Sequence, residues 1–246
     1  MAVTFRSQIR WPKNDLLLPA DLFDVSVPSG LGLMDVRSPK FVDVTEMMRL
    51  TPNTSPSVSG SLAMVEGLVK PELTVSFSNP ASQWRRSPVS GVNANRGPCQ
   101  FQFTGGEVLL DLTLEIYLLR TAEYNPDDDL SVQIFARLYE HELLHVLDAV
   151  EILKNWLPPR LNTEPTVVRY LIQSQSYTYG TPSMSVSQVE KEFQAFITKT
   201  IHVAVRNMWA TESNRRGALR DAPAQYKIVQ DKVDNLRARQ INRPHR

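Results

Sequence analysis

The segment Tyr139-Glu140-His141-Glu142-Leu143-Leu144-His145-Val146-Leu147-Asp148 sits inside a long run of helical periodicity, and it restricts this chain more than any other stretch. On a helix of 3.6 residues per turn, positions i and i+4 lie one above the other on a single face. His141 and His145 can therefore offer two imidazole nitrogens to one zinc ion. Glu142 then leans over the open side of the metal, placed to take a proton from a zinc-bound water. The competing account is a solvated helical face on which two His and a Glu coincide. The two Leu spacers and the amphipathic flanks weigh against it.

What precedes the motif supports the helix. Gln100-Phe101-Gln102-Phe103 alternates, and Gly105-Gly106 supplies a turn, so a hairpin is expected there. In the next strand Val108, Leu110, Leu112, Leu114, Ile116 and Leu118 face one way. Glu107, Asp111, Thr113, Glu115 and Tyr117 face the other, with Leu109 the apolar exception. Such a strand belongs to a sheet covered on one side only. Asn125-Pro126-Asp127-Asp128-Asp129 then suits a helix start, since acidic residues favour the positive end of the helix dipole. The helix is expected over about 130–156, with Pro158-Pro159 ending it.

Residues 1–98 form an irregular, β-rich and Pro-rich region; ten of the 17 prolines lie in the first hundred residues, which argues against long helices. Val44 to Leu50 suits a helical turn or two. The stretch Asn79 to Pro98, with Trp84 beside Arg85 and Arg86, reads as a surface loop anchored by one Trp. Residues 99–246 form the second region. There Ser185 or Ser187 caps a helix from Val189 to about Thr211, and Lys227 to Arg239 is a polar helix before a frayed tail, 240–246. From Ser213 onward nine Lys/Arg face three Asp. A basic tail can touch acidic partners or nucleic acid, but a solvated helix is the default.

Composition bounds the function. A net charge of +1 gives no general case for nucleic acid or membrane binding. The single cysteine, Cys99, allows no internal disulfide and is expected in the core. No stretch approaches the ~20 apolar residues of a membrane span. The N-terminus carries no apolar core of signal-peptide length, so the expectation is a protein made in the cytoplasm. Export or delivery would then use a non-classical route.

A catalytic zinc needs three protein ligands and an open position. Glu151 is the first candidate, on the same helix. In metzincin-like sites a glycine three residues past the second His breaks the helix. Here that place holds Asp148, so the helix continues and Glu151 points away from the metal. His202, Tyr226, Tyr177 and Tyr179 are candidate donors to an oxyanion, and no spacing selects among them.

His141-Glu142-Leu143-Leu144-His145 with Val189-Glu190-Lys191-Glu192-Phe193-Gln194-Ala195 resembles the gluzincin branch of the zincin metallopeptidases, whose downstream helix carries a Glu-x-x-Ala segment. The order from Cys99 through the strand to the motif also resembles a family of bacterial zinc proteases known mainly from sequence. The resemblance covers about residues 99–200. It implies an α+β fold with a zincin-like core, the motif helix against an antiparallel or mixed sheet. It also implies one Zn2+ per chain held by His141, His145 and Glu192, with Glu190 as fallback, and hydrolysis of peptide bonds in protein or peptide substrates with Glu142 as base and then acid. Many gluzincins carry an Asp four residues after that Glu. Here Phe196 stands there, so second-shell support must come from elsewhere, Asp148 being a possible source. The alternatives are a non-enzymatic structural or binding protein, with structural zinc or none, and an effector or toxin peptidase delivered by an injection machine.

Overall fold

Alternation makes the backbone of this α+β fold. In a computed structural model, which describes residues 3–10, 39–51, 66–79, 83–91, 95–123, 125–173 and 175–242, strand β6 spans Gly106–Leu119. Val108, Leu110, Leu112, Leu114, Ile116 and Leu118 along it are all buried, as the period of two requires. The strands before it are β1 (Val3–Arg10), β2 (Lys40–Val42), β3 (Gly67–Phe77), β4 (Trp84–Pro88) and β5 (Cys99–Phe103), with helix α1 at Val44–Leu50. After it come α2 (Asp129–Glu151), α3 (Leu157–Leu161), α4 (Pro165–Val167), β7 (Ser176–Tyr179), α5 (Val186–Arg220) and α6 (Pro223–Ile241). In one sheet β6 pairs with β1, β2 and β3, and β2 runs parallel to it. In the other, β5 lies between β4 and β7, antiparallel to both.

The expected hairpin is therefore absent: β5 and β6 belong to different sheets. Gly106 sits at φ 150°, and a Cβ there would meet the Gln83 side chain at 2.4 Å, so the chain passes close under Gln83 as it changes sheets. Nor is Trp84–Pro88 a surface loop. It is strand β4, and Trp84 is buried.

Two compact units emerge, residues 1–9, 73–112 and 150–213 in one and 10–72, 113–149 and 214–246 in the other. Each draws on both sides of residue 98. In the first, the β4-β5-β7 sheet packs against α5 through an aromatic cluster. Phe193 stacks on Phe101 at 3.9 Å between centroids and meets Trp84 edge-on at 5.0 Å, while Tyr179 lies 5.7 Å away. Val189, Phe193, Ile197 and Ile201, one turn apart, form the buried stripe that makes this packing possible. Ser185 is the residue that caps α5, its hydroxyl accepting from Gln188 N–H.

In the second unit, Tyr117 and Leu119 on the far face of β6 pack with Met47 of α1, and Val42, Leu50 and Leu68 close around them. The second face of the sheet is thus covered at this end, where one-sided covering was expected. The prolines that should end the motif helix do not: a π-helical turn, Ile152–Trp156, leads from α2 into α3 with Pro158 in its first turn. Proline's missing N–H costs nothing in a first turn. No helix among the described residues is long and apolar enough to cross a membrane. The tail beyond Asn242 lies outside the described residues.

Gly217 lies inside α5, and a Cβ added there would meet nothing within 4 Å. Gly217→Ala is expected to stabilise the protein by about 0.5–1 kcal/mol, through helix propensity and a less flexible unfolded chain. Urea unfolding reads this directly; a fall in stability would mean the absent side chain is needed there.

Candidate metal centre

Helix α2 starts on Asp128, whose carboxylate accepts from Leu130 N–H. Its buried ridge runs through Phe135, Leu138, Tyr139, Glu142, Leu143, Val146 and Ala149, with Leu144 and Leu147 only half-buried. Glu142 lies on that ridge, so a carboxyl sits among core residues. Burial is the main cause that pushes it up to about 7, against the pull of His145 and His141 and with a smaller push from the Asp221 charge. Space for it comes from Gly67 at the start of β3, where a Cβ would lie 2.4 Å from Glu142 Oε1.

His141 and His145 flank the ridge, and a third group meets them. Asp221 Oδ1 lies 3.1 Å from His141 Nε2 and 3.0 Å from His145 Nε2, and the two Nε2 atoms are 3.3 Å apart. Zinc binds His nitrogen and carboxylate oxygen at about 2.0–2.2 Å, which sets the ligand–ligand edges of a tetrahedral site at about 3.3–3.5 Å. The observed triangle is within a few tenths of an ångström of that. Without a cation no pair of tautomers satisfies all three contacts: two Nε2–H groups on the shared oxygen would face each other at 3.3 Å, and an unprotonated Nε2 would face the carboxylate oxygen. A shared cation resolves that conflict, so the donor set fits zinc. Among the described residues this is the one group of three or more His, Cys, Asp or Glu side chains whose ligand atoms converge.

Asp221 comes from the turn between α5 and α6. Its N–H bonds to Gly217 C=O at the end of α5, and Pro223 restarts the helix two residues on. The preceding residue, Arg220, is fastened to Asp148 of α2 at 2.8 and 3.2 Å, with Arg216 at 3.7 Å from the same carboxylate. Asp148 therefore ties the turn that presents Asp221 to the motif helix. Burial works to raise the Asp221 carboxyl, but its bonds to His141 and His145 outweigh that and hold it well below the usual range. Burial lowers His145, and its bond to Asp221 together with the charges of Glu142, Asp221 and Asp148 raises it overall.

Tyr226, on the first turns of α6, lies edge-on to His141 with centroids 5.8 Å apart. Burial pushes its hydroxyl up to about 12, as do the charges of Glu66, Glu142 and Asp221, against a hydrogen bond with the Glu66 backbone. Glu66 is itself buried and held by both arms of Arg237 at 2.6 and 2.9 Å, which joins α6 to the start of β3.

The remaining candidates fall in the first unit. Glu192 is exposed and accepts from Gln188 Nε2 at 3.0 Å, because Phe193, one position on, takes the buried stripe. Glu190 pairs with Arg86 at 2.7 Å. Glu151 closes the α-helical part of the motif helix. His202 is half-buried on α5, Tyr177 donates to the Arg169 carbonyl, and Tyr179 packs on Phe193 and Phe196. Asp221 was absent from the sequence expectations. The signal that marks it is that it is the one carboxylate among residues 213–230, set two positions before a proline between helical stretches.

The chain matches no protein-family model, no curated protein and no solved structure. Its chemistry is therefore read from its own side chains.

Proposed function

We propose that this protein is a zinc-dependent endopeptidase with a zincin-like core, in which His141, His145 and Asp221 hold one Zn2+ per chain. The observation that carries the proposal is the triangle of three donor atoms with edges of 3.0, 3.1 and 3.3 Å, beside a buried carboxyl. Structural zinc sites are closed by four protein ligands and favour Cys. Among the described residues three donors converge, none of them Cys, and the Asp221 side chain is 52% exposed, a set that would suit a catalytic zinc better than a closed structural one.

When bound, zinc supplies Lewis acidity, polarising the scissile carbonyl and making water more acidic. Glu142 accepts a proton from the attacking water and passes it to the leaving nitrogen as the C–N bond breaks. One water is consumed, and the products end in a carboxylate and an amine. Tyr226 donates its O–H to the carbonyl oxygen as negative charge gathers there. Asp148 and Arg220 hold the turn bearing Asp221, and Glu66 and Arg237 hold the start of β3 beside Glu142.

Glu142→Gln keeps the shape but cannot take a proton. It should retain one zinc per chain and its melting temperature, yet lower kcat on a fluorogenic peptide by about 10²–10⁴-fold. Undiminished turnover in this variant would remove Glu142 from the mechanism. No cleavage by the zinc-loaded wild type across a peptide library would favour the non-enzymatic alternative.

A further inference from the structure

A cavity of about 550 Å³ borders the metal cluster through His141. Arg215, Arg216 and Arg220 come to it from the last turns of α5, and Asp148 is its one carboxylate. Arg216 and Arg220 both reach Asp148, so three guanidinium groups share one carboxylate in the lining. Its mouth is apolar, with Leu219 and Ile228 both more than half exposed. The excess is local: the chain as a whole is only +1, whereas residues 213–246 hold nine Lys/Arg and three Asp. A second, smaller cavity shares His141, Leu144 and Val229 with it and adds Lys232 and the Arg137–Glu140 pair. Guanidinium groups bind carboxylates with paired, charge-assisted hydrogen bonds, and an apolar rim suits the methylene stem of a long acidic side chain.

We infer that this Arg-lined cavity beside His141 is a substrate pocket for a carboxylate, so that the enzyme selects peptides bearing Glu near the scissile bond. The inference rests on the peptidase reading for its biological sense, but the pocket can be tested without turnover. An acidic side chain and a free C-terminus offer the same group. A blocked peptide separates them.

The experiment uses the full chain loaded with zinc and three peptides of one sequence: Glu with an amidated C-terminus, its Gln counterpart with an amidated C-terminus, and the Gln peptide with a free carboxylate. Calorimetric titration on the Glu142→Gln protein reads binding without hydrolysis. The amidated Glu peptide is expected to bind at least about tenfold more tightly than its Gln counterpart, with the advantage shrinking as salt is raised. Arg215→Gln, on the exposed side of the pocket, should reduce that ratio severalfold. A preference carried by the free C-terminus alone would overturn the side-chain assignment. Equal affinity for Glu and Gln peptides would overturn the pocket altogether, whether or not peptides are cleaved. An oligonucleotide that binds more tightly than the Glu peptide and displaces it would reassign the cavity to phosphate and also overturn the proposal. Selective binding with no cleavage by the wild type would uphold the pocket and sink the peptidase reading alone.

Discussion

Asp221→Ala is expected to empty the metal centre, and Glu192→Ala to leave it filled. The wild type should carry one zinc per chain after reconstitution. Loss of a neighbouring hydrogen-bond partner costs a metal site about 10–100-fold in affinity, and removal of a ligand should exceed that. Asp221→Ala and His145→Ala are therefore expected to lose stoichiometric zinc in elemental analysis and to yield it to a chelator at concentrations the wild type withstands. Glu192 is exposed and bonded to Gln188, so its removal should change neither result. The reverse pattern, zinc lost with Glu192 and kept without Asp221, would overturn the ligand set. A wild type that takes up no zinc would reduce the triangle to a hydrogen-bonded knot.

The second large effect concerns the other unit. Phe193 is 1% exposed, stacked on Phe101 and in edge contact with Trp84 and Tyr179. Phe193→Ala removes a ring from the centre of that cluster and is expected to cost about 3–5 kcal/mol. For a chain of this size that corresponds to a fall in Tm of roughly 6–20 °C. Its neighbour Glu192 faces solvent, and Glu192→Ala should stay within about 0.5 kcal/mol of the wild type. A loss below about 1 kcal/mol for Phe193→Ala would show that α5 does not pack on this sheet through that residue. Thermal and urea unfolding of the two variants side by side decides it.

The same pair of residues shows why spacing leaves the choice of a third ligand open. Val189-Glu190-Lys191-Glu192-Phe193 offers two carboxylates on a helix downstream of the His pair, and spacing alone cannot say which face of that helix turns inward. Burial of Val189, Phe193 and Ile197 settles it: the apolar stripe takes the sheet, Glu192 is left in solvent and Glu190 reaches Arg86. Tyr226 is one of four candidate oxyanion donors, and spacing does not rank them. The turn at Asp221 and the start at Pro223 bring it to His141.

One strand and one helical turn are the scale on which this chain is legible from residues alone. Alternation in Val108 to Leu118 specified a strand with one buried face, and the i, i+4 spacing of His141 and His145 put two imidazoles on one helical face. Both follow from backbone geometry within a single element. The tertiary structure alone decided that β5 and β6 part into different sheets, that α1 covers the second face near Tyr117, and that Asp221, 76 residues after His145, closes the triangle. Each of these depends on which of several apolar faces finds a partner and on where a helix stops. That is settled by packing over the whole chain, because burial free energy belongs to surfaces brought together from distant segments and no local pattern records it.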